Sequence, residues 1–415
     1  MATKSRNVNM EILRIIAMFM VVAGHRFGPG HGVVYSSAIE NINSLDYFIE
    51  LGIFSFMVPV HLFYLISGYF LIGSSFKVKR IYNIWRTTFF YSVVLFFVSC
   101  GLRFFFAQSM GKEFLLAMGI PQESLSSYID IWNMHFGNIK SFTDWVNAFF
   151  PVLRSRYGFV CCYVVMYLLS PVMNKILCSL NKVQYKYLVI VCTLVFAVLP
   201  AIFNSDFLNI SDTSGIVWAL YMYVVAGYIR LHFDLKKFKP RTYLITGLAI
   251  VLLRVIIRVV SENLAVLFNG DRETWAWYLY RHDFIVPMMF AVCLLCCFAT
   301  LKNEPRKSDR FVIWLSSVTF GIYLLHDNLS TRLFMWDLSI ADRLPGSLWM
   351  WPAAFADVAI IFAVFGTLDY LRSLVFNKWD AWVGSTKLIK KRDNLFASVD
   401  ALFKPQTAKG ENKGQ

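Results

Sequence analysis

Charge is what this chain has least of. Asp, Glu, Lys and Arg make up 16% of its 415 residues, against about 25% in a typical soluble domain. That scarcity excludes a soluble globular enzyme and a disordered chain. Short segments of alternating polarity are also missing, which excludes a transmembrane β-barrel. No internal repeat is visible, which argues against the inverted-repeat transporter folds. Cysteine is present eight times but without a pattern. Cys293 and Cys296 have the spacing of metal ligands, yet no His or second Cys pair stands near them in sequence. Membrane helices use Cys as a small apolar residue, so neither a metal site nor a structural disulfide is expected.

What is abundant is apolar. Hydrophobic residues reach 57%, aromatic residues 17%, and the mean hydropathy is +0.54. The expected fold class is all-α, a polytopic transmembrane helical bundle. Runs long enough for a bilayer core, about 17–25 residues each, fall at 11–27, 47–71, 85–107, 157–177, 187–203, 215–231, 243–264, 277–301, 311–329 and 348–371. The first is short and follows Lys4 and Arg6, as in a signal peptide, but Arg14 interrupts it and no small-x-small cleavage site follows. It is therefore read as a span.

The chain is basic, with 40 Lys+Arg against 26 Asp+Glu, and the position of those residues orients it. With the N-terminus inside, every second connection is rich in Lys and Arg: Lys77, Lys79, Arg80 and Arg86, then Lys175, Lys182 and Lys186, then 230–241, then 302–310, then the tail. The outer connections 28–46 and 204–214 contain none. This is the positive-inside pattern. It predicts ten spans with both termini cytoplasmic and gives no reason to expect a nucleic-acid partner. The transmembrane domain is expected over 1–375. A cytoplasmic tail follows over 376–415, with an amphipathic helix at 385–403 on the membrane surface and a disordered end. The long outer segment 108–156 reads equally as a partly helical cap and as a plain loop.

Ionisable residues inside spans are costly and usually functional. Arg14 and His25 stand eleven residues apart, roughly 20° past three full turns, so they share one helix face about 16 Å apart along the axis. Spacing alone fits a functional pair, and fits as well a snorkelling arginine with a hydrogen-bonded core histidine. Arg254, Arg258 and Glu262 form an i, i+4, i+8 stripe, either a structural ion pair or an anion site. Arg281, His282 and Asp283 open the eighth run beside Trp275, Trp277 and Tyr278, where interfacial anchoring is the alternative reading. His326 sits near the outer end of the ninth run, and Asp357 lies well inside the tenth.

These residues carry a resemblance. NMEILRIIAMFMVVAGH (Asn9–His25) resembles the opening signature of acyltransferase family 3, with Glu11 three residues before Arg14 and ten residues between Arg14 and His25. LFYLISGYF (Leu62–Phe70) is similar to that family's Phe-rich Ser-Gly motif, with Ser67 and Gly68 in register. The basic run Lys77–Arg80 into Trp85 and Arg86, then YLLSPVMN (Tyr167–Asn174), AGYI (Ala226–Ile229) and FGIYLLHDNL (Phe320–Leu329) follow in the family's order. Two positions depart from it: His61 stands where an Asp or Asn is usual six residues before the Ser, and Lys77-x-x-Arg80 replaces a pair of arginines.

The resemblance implies a multi-pass protein of the bacterial cytoplasmic (inner) membrane. It would move an acetyl or other short acyl group from cytoplasmic acyl-CoA to a hydroxyl of a surface glycan. The expected catalytic set is His25, Arg14, Glu11 and His326, with His25 as general base or transient acyl carrier. Arg14, Ser67, Lys77, Arg80 and Arg86 would hold the donor's phosphates. His61, Arg254, Arg258, Glu262, His282 and Asp357 would face the acceptor. Acyl-CoA, lipid and a glycan acceptor are the expected partners, with no metal. A transporter, which also carries charges at depth, is the alternative, and a receptor or scaffold a third.

Overall fold

The computed structural model describes residues 7–28, 43–154, 156–203, 215–277 and 285–403. Every regular element among them is helical. Helix α1 (Val8–Phe27) starts where the Asn7 side chain accepts the Met10 N–H, with Glu11 in its first turn. The run expected as one helix over 47–71 is two, α2 (Leu45–Ser55) and α3 (Pro59–Leu71). Pro59 is the physical reason, since its ring clashes with the carbonyl four residues back and donates no hydrogen bond. The Ser55 carbonyl, freed by the break, accepts from Arg254 at 3.1 Å, and the Phe54 carbonyl accepts from it at 3.3 Å in addition to the Met57 N–H at 3.0 Å.

Helix α4 (Val78–Ala107) begins seven residues earlier than the apolar run at 85, so Lys79 and Arg80 lie on helix rather than in a loop. The segment 108–156 folds as three short helices, α5 (Ser109–Ala117), α6 (Leu125–His135) and α7 (Phe142–Phe149). Helix α8 (Gly158–Ser179) runs through Pro171 without breaking. The Tyr167 carbonyl that Pro171 cannot serve accepts the Ser170 hydroxyl at 2.7 Å. Helix α9 (Lys182–Thr193) passes through a π-turn at Leu194–Val198 into α10 (Leu199–Phe203).

Then come α11 (Ile216–His232), α12 (Pro240–Leu267), α13 (Arg272–Trp277), α14 (Ile285–Thr300), α15 (Asp309–His326), α16 (Leu329–Asp337), α17 (Met350–Val383) and α18 (Lys387–Leu402). Among the described residues, seven helical stretches are long and apolar enough to cross a membrane, counting α2–α3 and α9–α10 as one each; α11 and α14 are shorter apolar helices. Their outer faces expose large apolar side chains, such as Leu244, Leu248 and Leu252 of α12.

Helix α1 runs between the two main cores. Its Met10, Leu13 and Ala17 pack into a cluster built with α3, α11 and α14. Its Met18, Val22 and Phe27 pack into a second one built with α15 and α17. Helices α3 and α11 cross so closely that a Cβ on Gly68 would lie 2.9 Å from the Tyr223 Cα. The glycine of the Ser-Gly motif is therefore a packing requirement, which leaves the neighbouring Ser67 against α1 and α8.

Candidate functional site

A cavity of about 590 Å³ opens between α1, α3, α4, α8 and α15. Arg14 and His25 both line it, as their shared helix face requires, with Met18 and Val21 between them. The cavity thus extends at least the ~16 Å that eleven helical residues span.

At the His25 end a second imidazole meets the first. His25 Nδ1 lies 3.1 Å from His326 Nε2, and His326 Nδ1 lies 2.8 Å from the Ile322 carbonyl. A carbonyl only accepts, so His326 Nδ1 carries the proton and, in the neutral ring, Nε2 holds a lone pair. That lone pair accepts the His25 Nδ1–H, which makes Nε2 of His25 the basic nitrogen of the pair. His326 is fully buried, which fixes the ring it orients. Asp327 Oδ1 stands 3.6 Å from His25 Nδ1, beyond a hydrogen bond but close enough to favour an imidazolium by Coulomb attraction. Asp327 is held in turn by Arg332 at 3.3 Å and by the Tyr323 hydroxyl. Asp327, Arg332 and Tyr323 all line the cavity.

At the other end Arg14 pairs with Glu11, and Glu11 also accepts the Ser316 hydroxyl of α15. One carboxylate thus anchors the guanidinium to two helices, while the Arg14 side chain stays about one-third exposed to the cavity. Ser67 lines the wall, donates to the Phe63 carbonyl at 2.6 Å and meets the hydroxyl of Tyr163, which also feels the charges of Arg14 and Arg80.

The remaining expected residues separate from this cavity. Lys77 precedes α4, where its backbone N–H donates to the Tyr167 hydroxyl at 2.9 Å and its ammonium lies 3.7 Å from Asp400. Arg80 is exposed on the first turn of α4. Arg86 pairs with Asp380 at 2.6 Å and stacks over Phe376 at 4.7 Å. His61 is buried edge-on against Trp218 at 5.4 Å. Arg254 serves the α2–α3 break. Arg258 and Arg272 both pair with the buried Glu262, beside Tyr47 and Glu50, in a second polar cluster at the far end of α12. His282 lies outside the described residues, as do Arg281 and Asp283.

Asp357 is engaged elsewhere, accepting from the Ser339 hydroxyl at 2.8 Å and the Ile340 N–H at 3.0 Å. It lies 3.5 Å from Arg26, whose guanidinium also binds Asp342 at 2.8 Å. Arg26 is fully buried and absent from the sequence reading. Its adjacency to His25 was the available signal. For Tyr323 the signal was its place one turn before His326. Tyr163 and Arg332 carried none. Among the described residues no group of three or more His, Cys, Asp or Glu is placed to hold a metal.

These elements define a multi-pass helical membrane protein with a cation at one end of an internal cavity and a pair of imidazoles at the other. The acyltransferase domain profile matches residues 7–372, and the chain belongs to acyltransferase family 3; it is a membrane acyltransferase. No curated protein and no solved structure matches it.

Proposed function

We propose that the protein is an O-acyltransferase that moves an acetyl or other short acyl group from cytoplasmic acyl-CoA to a hydroxyl of a cell-surface or exported glycan. The supporting observation is the single cavity that joins Arg14 to the His25–His326 pair. Arg14 has donors beyond the one committed to Glu11 and suits a phosphate. Nε2 of His25 takes the hydroxyl proton as the oxygen attacks the thioester carbonyl. The C–S bond breaks and the thiolate leaves, to be protonated from the imidazolium. In the carrier version the same nitrogen attacks the thioester first and passes the acyl group on. Purified, reconstituted protein should transfer label from acyl-CoA to a glycan acceptor, and His25→Gln should reduce transfer by about 10²–10⁴-fold, the usual contribution of a general base. An amide fills similar space, so near-wild-type transfer by this variant refutes the role. An acyl adduct trapped on His25 in the absence of acceptor selects the carrier version.

The charge asymmetry of the connections supports ten spans in the bacterial cytoplasmic membrane with both termini inside. External thiol labelling of a cysteine introduced between Lys302 and Arg310 would refute that topology.

A further inference from the structure

The family match ends at residue 372, and α18 lies beyond it. This helix has two faces with different surroundings. At about 100° per residue, Arg392, Phe396, Asp400 and Phe403 fall on one arc, and that arc is docked. Phe396 packs on Tyr82 at 5.6 Å and Phe403 on Phe76 at 4.9 Å. The Arg392 guanidinium sits 4.8 Å from the Tyr82 ring, and Asp400 accepts the Val78 N–H at 2.8 Å beside Lys77.

Leu388, Leu395 and Leu402 fall within about 40° of one another on a separate stripe, and they are 80%, 60% and 78% exposed. Lys391 and Lys387 border that stripe on the side away from the docked arc, with Lys390 further round, and all three are exposed. The end of α17 adds Trp379 and Trp382, packed edge-on at 5.2 Å and both exposed. That is the composition of an interfacial aromatic belt.

We propose that α18 is a strap that binds the anionic surface of the inner leaflet. Its leucine stripe enters the headgroup region and its three lysines pair with anionic headgroups. Its docked face meanwhile clamps the turn Phe76–Arg80 at the inner end of the bundle. A bilayer surface is the occupant for two reasons. The apolar stripe is one residue wide and bordered by lysine, which suits a helix lying in an interface and is too narrow for a stable protein interface. Three residues, 384–386, join α18 to the end of a spanning helix and its other face is docked on α4, so it stays close to the end of the bundle. The inference uses the inward C-terminus proposed above and is independent of acyl transfer.

Each lysine near an anionic leaflet contributes about fivefold to partitioning, so three together contribute about a hundredfold. Amide hydrogen exchange on the full-length protein in nanodiscs tests this without any acyl donor. Exchange over 387–402 should be at least tenfold slower with anionic lipid than with zwitterionic lipid alone, and the difference should shrink at high salt. K387E/K390E/K391E should abolish the difference while protection of the spanning helices is unchanged. Asp400→Asn should speed exchange at Val78 and its neighbours in both lipids. Equal exchange in the two lipids, or a lipid effect that survives the triple substitution, overturns the proposal. Protection that follows protein density in the disc rather than anionic lipid assigns the stripe to a second copy and overturns it as well.

Discussion

Replacing His326 by phenylalanine isolates what the second imidazole contributes. The ring is fully buried and its Nε2 accepts from His25 Nδ1 at 3.1 Å. Phenylalanine is a slightly larger ring; besides the Nδ1–H donated to the Ile322 carbonyl, it removes that acceptor. In the resting enzyme this is a bond between neutral groups, worth about 0.5–1.5 kcal/mol, so the fold should tolerate the change. When His25 takes the hydroxyl proton it becomes a cation, and the same bond becomes charge-assisted, worth about 1.5–3 kcal/mol. Only the difference between the two, about 1–1.5 kcal/mol, counts against free enzyme, so at 1.36 kcal/mol per decade its loss should lower kcat/KM by about 5- to 13-fold. His326→Gln should fall between wild type and His326→Phe, because the amide oxygen can still accept. The assay is the initial rate of acyl transfer by reconstituted protein, normalised to the amount of folded protein. Transfer by His326→Phe within twofold of wild type refutes the pairing argument. Glutamine no better than phenylalanine refutes the hydrogen-bond account of it.

Other expectations follow from neighbouring contacts. Arg14→Ala should raise the apparent KM for acyl-CoA by at least about tenfold, the worth of one charge-assisted contact, with protein level little changed; an unaltered KM removes Arg14 from the donor site. Arg26→Ala should destabilise by about 3–5 kcal/mol, since it strips the partner from the buried Asp357, read as the thermal midpoint in detergent; a midpoint near wild type refutes the clamp. Gly68→Ala should cost about 1–3 kcal/mol by overpacking, because the obstacle is the Tyr223 backbone and no rotamer relieves it; a variant as stable as wild type refutes the close crossing.

The sequence was most legible where one helix carries the whole signal. The rotation between Arg14 and His25 is fixed by backbone geometry, and both side chains do line one cavity. Pro59 announces its own break, yet hydropathy averaging hid it inside a long apolar run. Tertiary partners were the illegible part. Arg254 looked like part of a stripe because spacing along α12 cannot reveal the broken helix end it serves. Arg26 was passed over because the partners that neutralise it, Asp342 and Asp357, lie more than three hundred residues away in sequence. Asp357 read as a cavity residue because burial of a carboxylate is visible from sequence whereas its cation is not. The start of α4 was misplaced because basic residues in a first turn lower hydropathy without opposing the helix.

Arg26 and His25 are consecutive on a helix that advances about 100° per residue, so their side chains leave the same turn toward different neighbours. One is gripped by Ser339, Asp342 and Asp357; the other rests on His326. No flexible joint separates them, and the turn cannot rotate for one without rotating for the other. The segment around 339–342 therefore acts as the bearing of a rigid shaft whose working end is the imidazole. A molecule that presses on that segment would retune the angle of the imidazole before ever entering the cavity.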